Sequence, residues 1–248
     1  MKVALVTTTF SENPEALRFQ LALKTCRAAK ATGYPLYIVD GSPETRMIDM
    51  LLHAGATMVT PEKTRGMGAS RRQCFRMGLE SGADVVVWIE PEKHSLVPFI
   101  GGCVVPIQKK RAKAVVPRRR NLDGYPQYQQ LSEFRGNWEI GNILGRSDLD
   151  LFMGPRVMDR EATEVMASYD PHCGQNTYGD RWEILFVPIV QMLARGWPIE
   201  SVLVDYVHPP EQLAEDDTSM RTKRDEQLKD IVSAVTAEAK RLGISCHS

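Results

Sequence analysis

The chain has no excess of either charge. Lys and Arg number 31 and Asp and Glu number 31 over 248 residues, a formal net charge of zero. That balance argues against a protein built mainly to hold nucleic acid, which needs a basic excess, and leaves room for a local basic patch that meets phosphates. Cysteine is sparse: Cys26, Cys74, Cys103, Cys173 and Cys246 are scattered, odd in number and without a C-x-x-C pair. They read as free thiols of a reducing compartment, and neither a disulfide framework nor a cysteine zinc site is expected. Long apolar runs are missing too. The longest, from Val97 to Ile107, is broken by Gly101, Gly102 and Pro106 and falls short of the roughly 20 residues that span a bilayer. The start, Met1 to Thr7, is too short for a signal peptide. A soluble, cytoplasmic protein without a membrane span is the expectation. No Gly-x-Ser-x-Gly, complete Gly-x-Gly-x-x-Gly or phosphate-loop Gly-Lys-Ser/Thr occurs, which speaks against a nucleophile-elbow hydrolase, a dinucleotide fold and a P-loop. Internal repeats and low-complexity segments are also lacking.

What is present suits a globular core: 43% of the residues are hydrophobic and 25% charged, ordinary proportions for a folded domain. In the first half, apolar β-branched runs alternate with helical patterns. Val3–Val6, Leu36–Val39, Thr57–Val59, Asp84–Ile89 and Lys113–Pro117 read as strands. Pro14–Ala31, Met47–Ala54, Ala69–Ser81 and a broken helix over Leu96–Lys110 lie between them. Such alternation predicts an α/β fold with an open, mainly parallel twisted sheet and helices on both faces. The second half is less regular. Tyr125–Leu144 reads as one or two helices, Leu151–Met158 as a strand carrying Gly154-Pro155, and Glu161–Tyr169 as a helix. Asp180–Arg195 reads as one buried helix, Ile199–Val207 as a strand, Glu211–Arg221 as a polar loop and Asp225–Leu242 as an amphipathic helix.

Ligands of open α/β sheets bind outside the carboxyl ends of the strands. Here those ends are Thr7-Thr8-Thr9, Asp40-Gly41-Ser42, Glu90-Pro91-Glu92 and Pro117-Arg118-Arg119-Arg120. Glu90 and Glu92 sit one residue apart where the chain leaves the pleat. They suit a divalent cation shared with substrate phosphates or, more plainly, a solvated turn. Arg65-Gly66-Met67-Gly68-Ala69-Ser70-Arg71-Arg72 opens a helix with two glycines, and a helix N-terminus favours anions. A cation in that first turn does not help the helix, so Arg71 points to a ligand anion, the plain alternative being a surface arginine. His208 precedes two prolines and is either a neutral metal ligand or an exposed loop histidine. Asp180 and Glu183 flank Trp182 at a predicted helix start, as helix-stabilising carboxylates or as a general base and acceptor group.

In order and spacing these residues resemble the GT-A glycosyltransferases, family 2 and the related glycosylglycerate synthase type, from Met1 to about Pro210. Val39-Asp40-Gly41-Ser42 is similar to the strand end that meets the nucleotide base. Gly66-Met67-Gly68-Ala69-Ser70-Arg71 is similar to their Gly-x-x-x-Ala-Arg segment, and Glu90-Pro91-Glu92 stands where they carry Asp-x-Asp. Phe152–Glu161 resembles their acceptor-side strand and turn, and Gly179-Asp180 to His208 their acidic helix and the strand before a metal- or phosphate-binding His. The resemblance implies a sugar moved from a UDP- or GDP-linked donor to a hydroxyl acceptor. It implies Thr8, Thr9, Asp40 and Ser42 at base and ribose, and Arg71 with Arg118 or its neighbours at the diphosphate. Mg²⁺ or Mn²⁺ would sit on Glu90, Glu92 and His208, with Asp180 or Glu183 near the acceptor. It further implies one domain over 1–248: a nucleotide-binding half 1–120, an acceptor-side half 121–210, and a loop and helix over 211–248, with a homodimer as a possible assembly. Glu-x-Glu departs from Asp-x-Asp, and Gly179 replaces an acidic residue. The alternatives are a catalytically inactive GT-A-like nucleotide-binding module and a nucleotidyltransferase on the same sheet. The latter lacks its Gly-rich basic loop after the first strand.

Overall fold

A computed structural model describes residues 1–173, 176–215 and 218–244. Strands β1 (Val3–Thr9), β2 (Leu36–Asp40), β3 (Met58–Pro61), β4 (Val85–Trp88) and β5 (Ala114–Arg119) alternate with helices α1 (Leu17–Thr32), α2 (Thr45–Ala54), α3 (Met67–Glu80) and α4 (Ile100–Gln108). After them come α5 (Gln127–Leu144), β6 (Arg156–Asp159), α6 (Arg160–Ala167), the short strands β7 (His172–Cys173) and β8 (Asn176–Thr177), α7 (Val187–Ala194), β9 (Ile199–Val204) and α8 (Thr218–Arg241). Seven strands form one sheet in the order β3-β2-β1-β4-β6-β5-β9. All neighbours run parallel except β6, which is antiparallel to both β4 and β5. The expected mainly parallel α/β sheet is borne out. The insertion of β6 between β4 and β5 is a tertiary arrangement that local periodicity does not encode.

Both faces of the sheet are covered, which is why its strands are apolar without alternation. Successive side chains point to opposite faces. Val6, Val86 and Trp88 therefore pack under α3, α6, α7 and α8, while Leu5, Val85 and Val87 pack under α1 and α4. Cys26, Cys74 and Cys103 are buried thiols and Cys173 is free; Cys246 lies outside the described residues. No helix among the described residues is long and apolar enough to cross a membrane.

Three readings of the second half are corrected. Asp180–Arg195 is not one helix: Glu183–Leu185 forms a 3₁₀ turn and α7 starts at Val187. Pro188 explains the break, because proline fits only the first turn of a helix. Leu151–Met158 divides into a 3₁₀ turn, Leu151–Met153, and β6, with Gly154 at φ +98° between them. Much of the expected polar loop at 211–221 is ordered: Pro210–Glu215 is a 3₁₀ turn and α8 begins at Thr218, while 216–217 lie outside the described residues.

Two buried networks tie these parts together. Arg156 is fully buried, and its guanidinium donates to the carbonyls of Leu151, Pro155 and Leu185 at 2.8, 2.9 and 3.2 Å. Arg119, at the end of β5, donates to both oxygens of Asp150 at 2.7 Å and also pairs with Glu133 of α5.

Candidate functional site

The carboxyl ends of β1, β2 and β4 open into a cleft of 1510 Å³, closed on the far side by α5, α8 and the segments carrying Trp182 and His208. Thr8, Thr9, Asp40, Ser42, Arg71, Glu90, Glu92 and His208 all line it. Eight of the eleven residues singled out in the sequence are thus brought together, because parallel register places Thr9 beside Asp40.

Asp40 is the most finely held of them. The Thr9 hydroxyl donates to its Oδ1 at 2.7 Å, and so does the Ser42 hydroxyl. Ser42 in turn accepts from the Ser11 amide at 3.1 Å. Asp40 is buried, and its Oδ2 has no hydrogen-bond partner. A buried acceptor left unpaired is costly, so this oxygen is suited to a ligand N–H or O–H.

Below it, α3 starts at Gly66, whose φ of +129° favours glycine. Its second turn, not the first as the sequence suggests, carries Arg71 into the protein. The guanidinium lies 5.2 Å above the Trp88 ring, donates to the Arg181 carbonyl at 2.7 Å and leaves its Nε unpartnered. Burial lowers Arg71 to about 10, against the opposing pull of Glu90 and Glu92. It remains a cation at neutral pH, aimed along the cleft.

The turn after β4 carries Glu90, Glu92 and Lys93. Burial, then repulsion by Glu90, pushes the Glu92 carboxyl above its ordinary range, with Lys93 and Arg18 pulling it back. Lys93 is 6% exposed and its ammonium stands 3.2 Å from Glu90 Oε2. His208 is 7% exposed, stacks on Tyr125 at 4.0 Å between centroids, and has no partner on either ring nitrogen. Burial first, then Lys93, Arg224 and Arg119, lowers it to about 4, so it is an uncharged imidazole at neutral pH. Among the described residues no three His, Cys, Asp or Glu side chains converge closely enough to hold a metal ion.

The other three expected residues are not brought to the cleft. Arg118 is exposed and lines a separate 670 Å³ groove with Arg120, Arg146 and Asp148 at the β5–β9 edge. Strand alternation sends Arg119 inward and Arg118 outward. Asp180 is held by Arg72, which donates to Oδ2 at 2.8 Å and also bonds Oδ1. Glu183 is 2% exposed and accepts from the Arg181 amide at 3.1 Å. Lys93, Trp88, Trp182 and Arg224 line the cleft without having been assigned a role in the sequence. Lys93 carried a signal there, standing directly after the acidic pair. Arg224 carried none, because it depends on where α8 packs.

No protein-family model matches the chain, and no curated protein matches it. Solved structures do. Glucosyl-3-phosphoglycerate synthase from Mycobacterium tuberculosis in complex with phosphoglyceric acid is 13% identical, with a TM-score of 0.65 over 98% of this chain and 81% of that one. The same synthase with Mn²⁺, UDP-glucose and phosphoglyceric acid gives a TM-score of 0.63 at 13% identity, over 98% and 80% of the two chains. With Mn²⁺, UDP and glucosyl-3-phosphoglycerate it gives 0.61 at 12%, over 98% and 81%. The chain shares their GT-A-like fold.

Proposed function

We propose that the chain is a glycosyltransferase that moves a sugar from a UDP- or GDP-linked donor to a hydroxyl acceptor. The observation that carries this reading is Asp40, which lines the cleft with its Oδ1 fixed by two hydroxyls and its buried Oδ2 without a hydrogen-bond partner. A carboxylate held this way has already lost its side-chain freedom, which favours accepting from a base N–H or a ribose hydroxyl. Arg71, a buried cation further along the cleft, stabilises the charge that develops on the leaving nucleoside diphosphate. The solved structures of the same fold that hold UDP or UDP-glucose support the same reading.

A divalent cation suits the acidic end of this cleft. Two carboxylates and an uncharged imidazole with unpartnered nitrogens are oxygen and nitrogen donors fit for Mg²⁺ or Mn²⁺. As placed, these three groups do not converge on one point; brought together, Glu90, Glu92 and His208 would hold it, and it would supply positive charge to the departing diphosphate. On the opposite wall, Lys223 and Arg224 of α8 line the cleft. They favour an acceptor hydroxyl carried on an anionic molecule, as with the phosphoglyceric acid of the structural neighbour.

The test is a thermal-shift panel of UDP, GDP, CDP and ADP, each with Mn²⁺ and with EDTA, followed by turnover of the sugar conjugates of whichever nucleotide binds. Binding to the native state raises the melting temperature by mass action. A shift with UDP or GDP and release of that diphosphate from its sugar conjugate support the transferase. Binding without release would assign an inactive nucleotide-binding module, and no shift with any of them would overturn the reading.

A further inference from the structure

Lys93 stands against the first carboxylate of the acidic pair. Its ammonium lies 3.2 Å from Glu90 Oε2 and 4.9 Å from the centroid of the Tyr206 ring, and the residue is 6% exposed while lining the cleft. The turn itself sets this contact. Lys93 N–H donates to the Glu90 carbonyl at 3.0 Å, which folds the lysine back over the carboxylate three residues before it. On its other side the Glu90 carboxylate lies against Gly154, where even a methyl group would meet it.

We infer that Lys93 is an internal counter-cation that holds the Glu90–Glu92 pair closed to a divalent metal until a donor diphosphate arrives to share both cations. This inference rests on the transferase reading. A divalent ion entering alone would face the ammonium at short range beside partly buried carboxylates, where like charges repel. A diphosphate brings negative oxygens that accept from Lys93 and draw it off Glu90. Metal and nucleotide therefore bind cooperatively, and each raises the affinity of the other by the same factor.

The test measures Mn²⁺ binding to the full chain by electron paramagnetic resonance. It is run alone and with UDP or GDP, whichever raises the melting temperature, and corrected for Mn²⁺ held by free nucleotide. The wild type is expected to bind Mn²⁺ alone at least about tenfold more weakly than with nucleotide. Lys93→Met keeps the packing and Lys93→Gln keeps the length, and both lose the charge. Each is expected to bind Mn²⁺ alone about tenfold more tightly than wild type, and nucleotide in EDTA about tenfold more weakly, the scale of one charge-assisted contact. Those opposite signs are what a merely structural lysine would not produce. Equal Mn²⁺ affinity in wild type and variants, or parallel loss of both ligands in variants whose unliganded melting temperature is retained, would overturn the inference. So would a wild type indifferent to nucleotide, a result that stands even if neither variant folds. A wild type that binds neither Mn²⁺ nor any nucleotide removes the transferase reading itself.

Discussion

Gly154 and Glu90 lie in close approach: a Cβ on Gly154 would sit 2.7 Å from Glu90 Oε1, and Gly154 holds φ at +98°. The backbone between the Leu151–Met153 turn and β6 thus leaves space for the carboxylate that follows β4. Gly154→Ala is expected to lower stability by about 1–3 kcal/mol through backbone strain and also to abolish any Mn²⁺-dependent gain in nucleotide binding. Gly33→Ala is the control, since Gly33 has φ +76° with nothing within 4 Å of its Cβ position. It should lose stability alone. Urea midpoints and nucleotide thermal shifts on both variants separate the two effects; equal ligand responses would show that the contact with Glu90 is idle.

Asp40 gives a second test. Asp40→Asn keeps the volume and leaves Thr9 and Ser42 in place, but puts an amide N–H₂ on one side of the group. The loss of a charge-assisted bond to the ligand corresponds to about 1.5–3 kcal/mol, which is a nucleotide affinity lower by about tenfold to a hundredfold. Isothermal titration with the nucleotide that binds wild type checks it. Retained affinity would move the base or ribose contact away from Asp40.

The residues that were legible in the sequence share one property: their position follows from a local rule. Asp40, Glu90 and Glu92 close apolar strands, and parallel strands deliver their ends to one edge. Arg71 follows two glycines at a helix start. The residues misplaced depend on non-local facts. Arg118, Arg119 and Arg120 are consecutive, and only the register of β5 decides that Arg119 turns inward to Asp150 while Arg118 faces out. The role of Lys93 needs Tyr206, brought in by the chain after β9. Asp180 was placed on a helix because the apolar run from Ile184 hides a boundary, although Pro188 marks it.

The Arg119–Asp150 pair predicts a pH dependence with a definite sign. Burial alone would raise Asp150, but the hydrogen bonds and charge of Arg119 outweigh it, and the carboxyl lies below its ordinary range. A folded value below the unfolded one, about 3.9, contributes stability that is fully present above pH 4. That stability is lost as pH falls through the lower folded value. Asp150→Asn should cost less at pH 7 than the about 3–5 kcal/mol of a fully broken buried pair, because Glu133 still faces the Arg119 guanidinium, and the gap to wild type should narrow below pH 4. Urea titrations at pH 7, 5 and 3 measure it. A constant gap would mean that Asp150 does not titrate differently on folding.

The pairing of Asp180 with Arg72 decides whether Asp180 is a base or a clamp. Arg72 bonds both carboxylate oxygens, and the Asp180 carbonyl accepts from the Gly68 amide at 3.0 Å. A Cβ on Gly68 would lie 2.7 Å from that carbonyl, so the segment before Glu183 is pressed against the first turn of α3. A general base needs an oxygen free for the acceptor proton, and its removal lowers kcat by about a hundredfold to ten-thousandfold. A clamp instead positions Arg71 through the helix that carries it. Asp180→Ala is therefore expected to raise the donor KM, to cost about 1 kcal/mol of stability for a partly exposed pair, and to leave kcat within about threefold. Arg72→Ala should match it, and the double variant should be no worse than either single one, because both remove the same contact. A fall in kcat confined to Asp180→Ala, with Arg72→Ala near wild type, would instead return Asp180 to the chemistry.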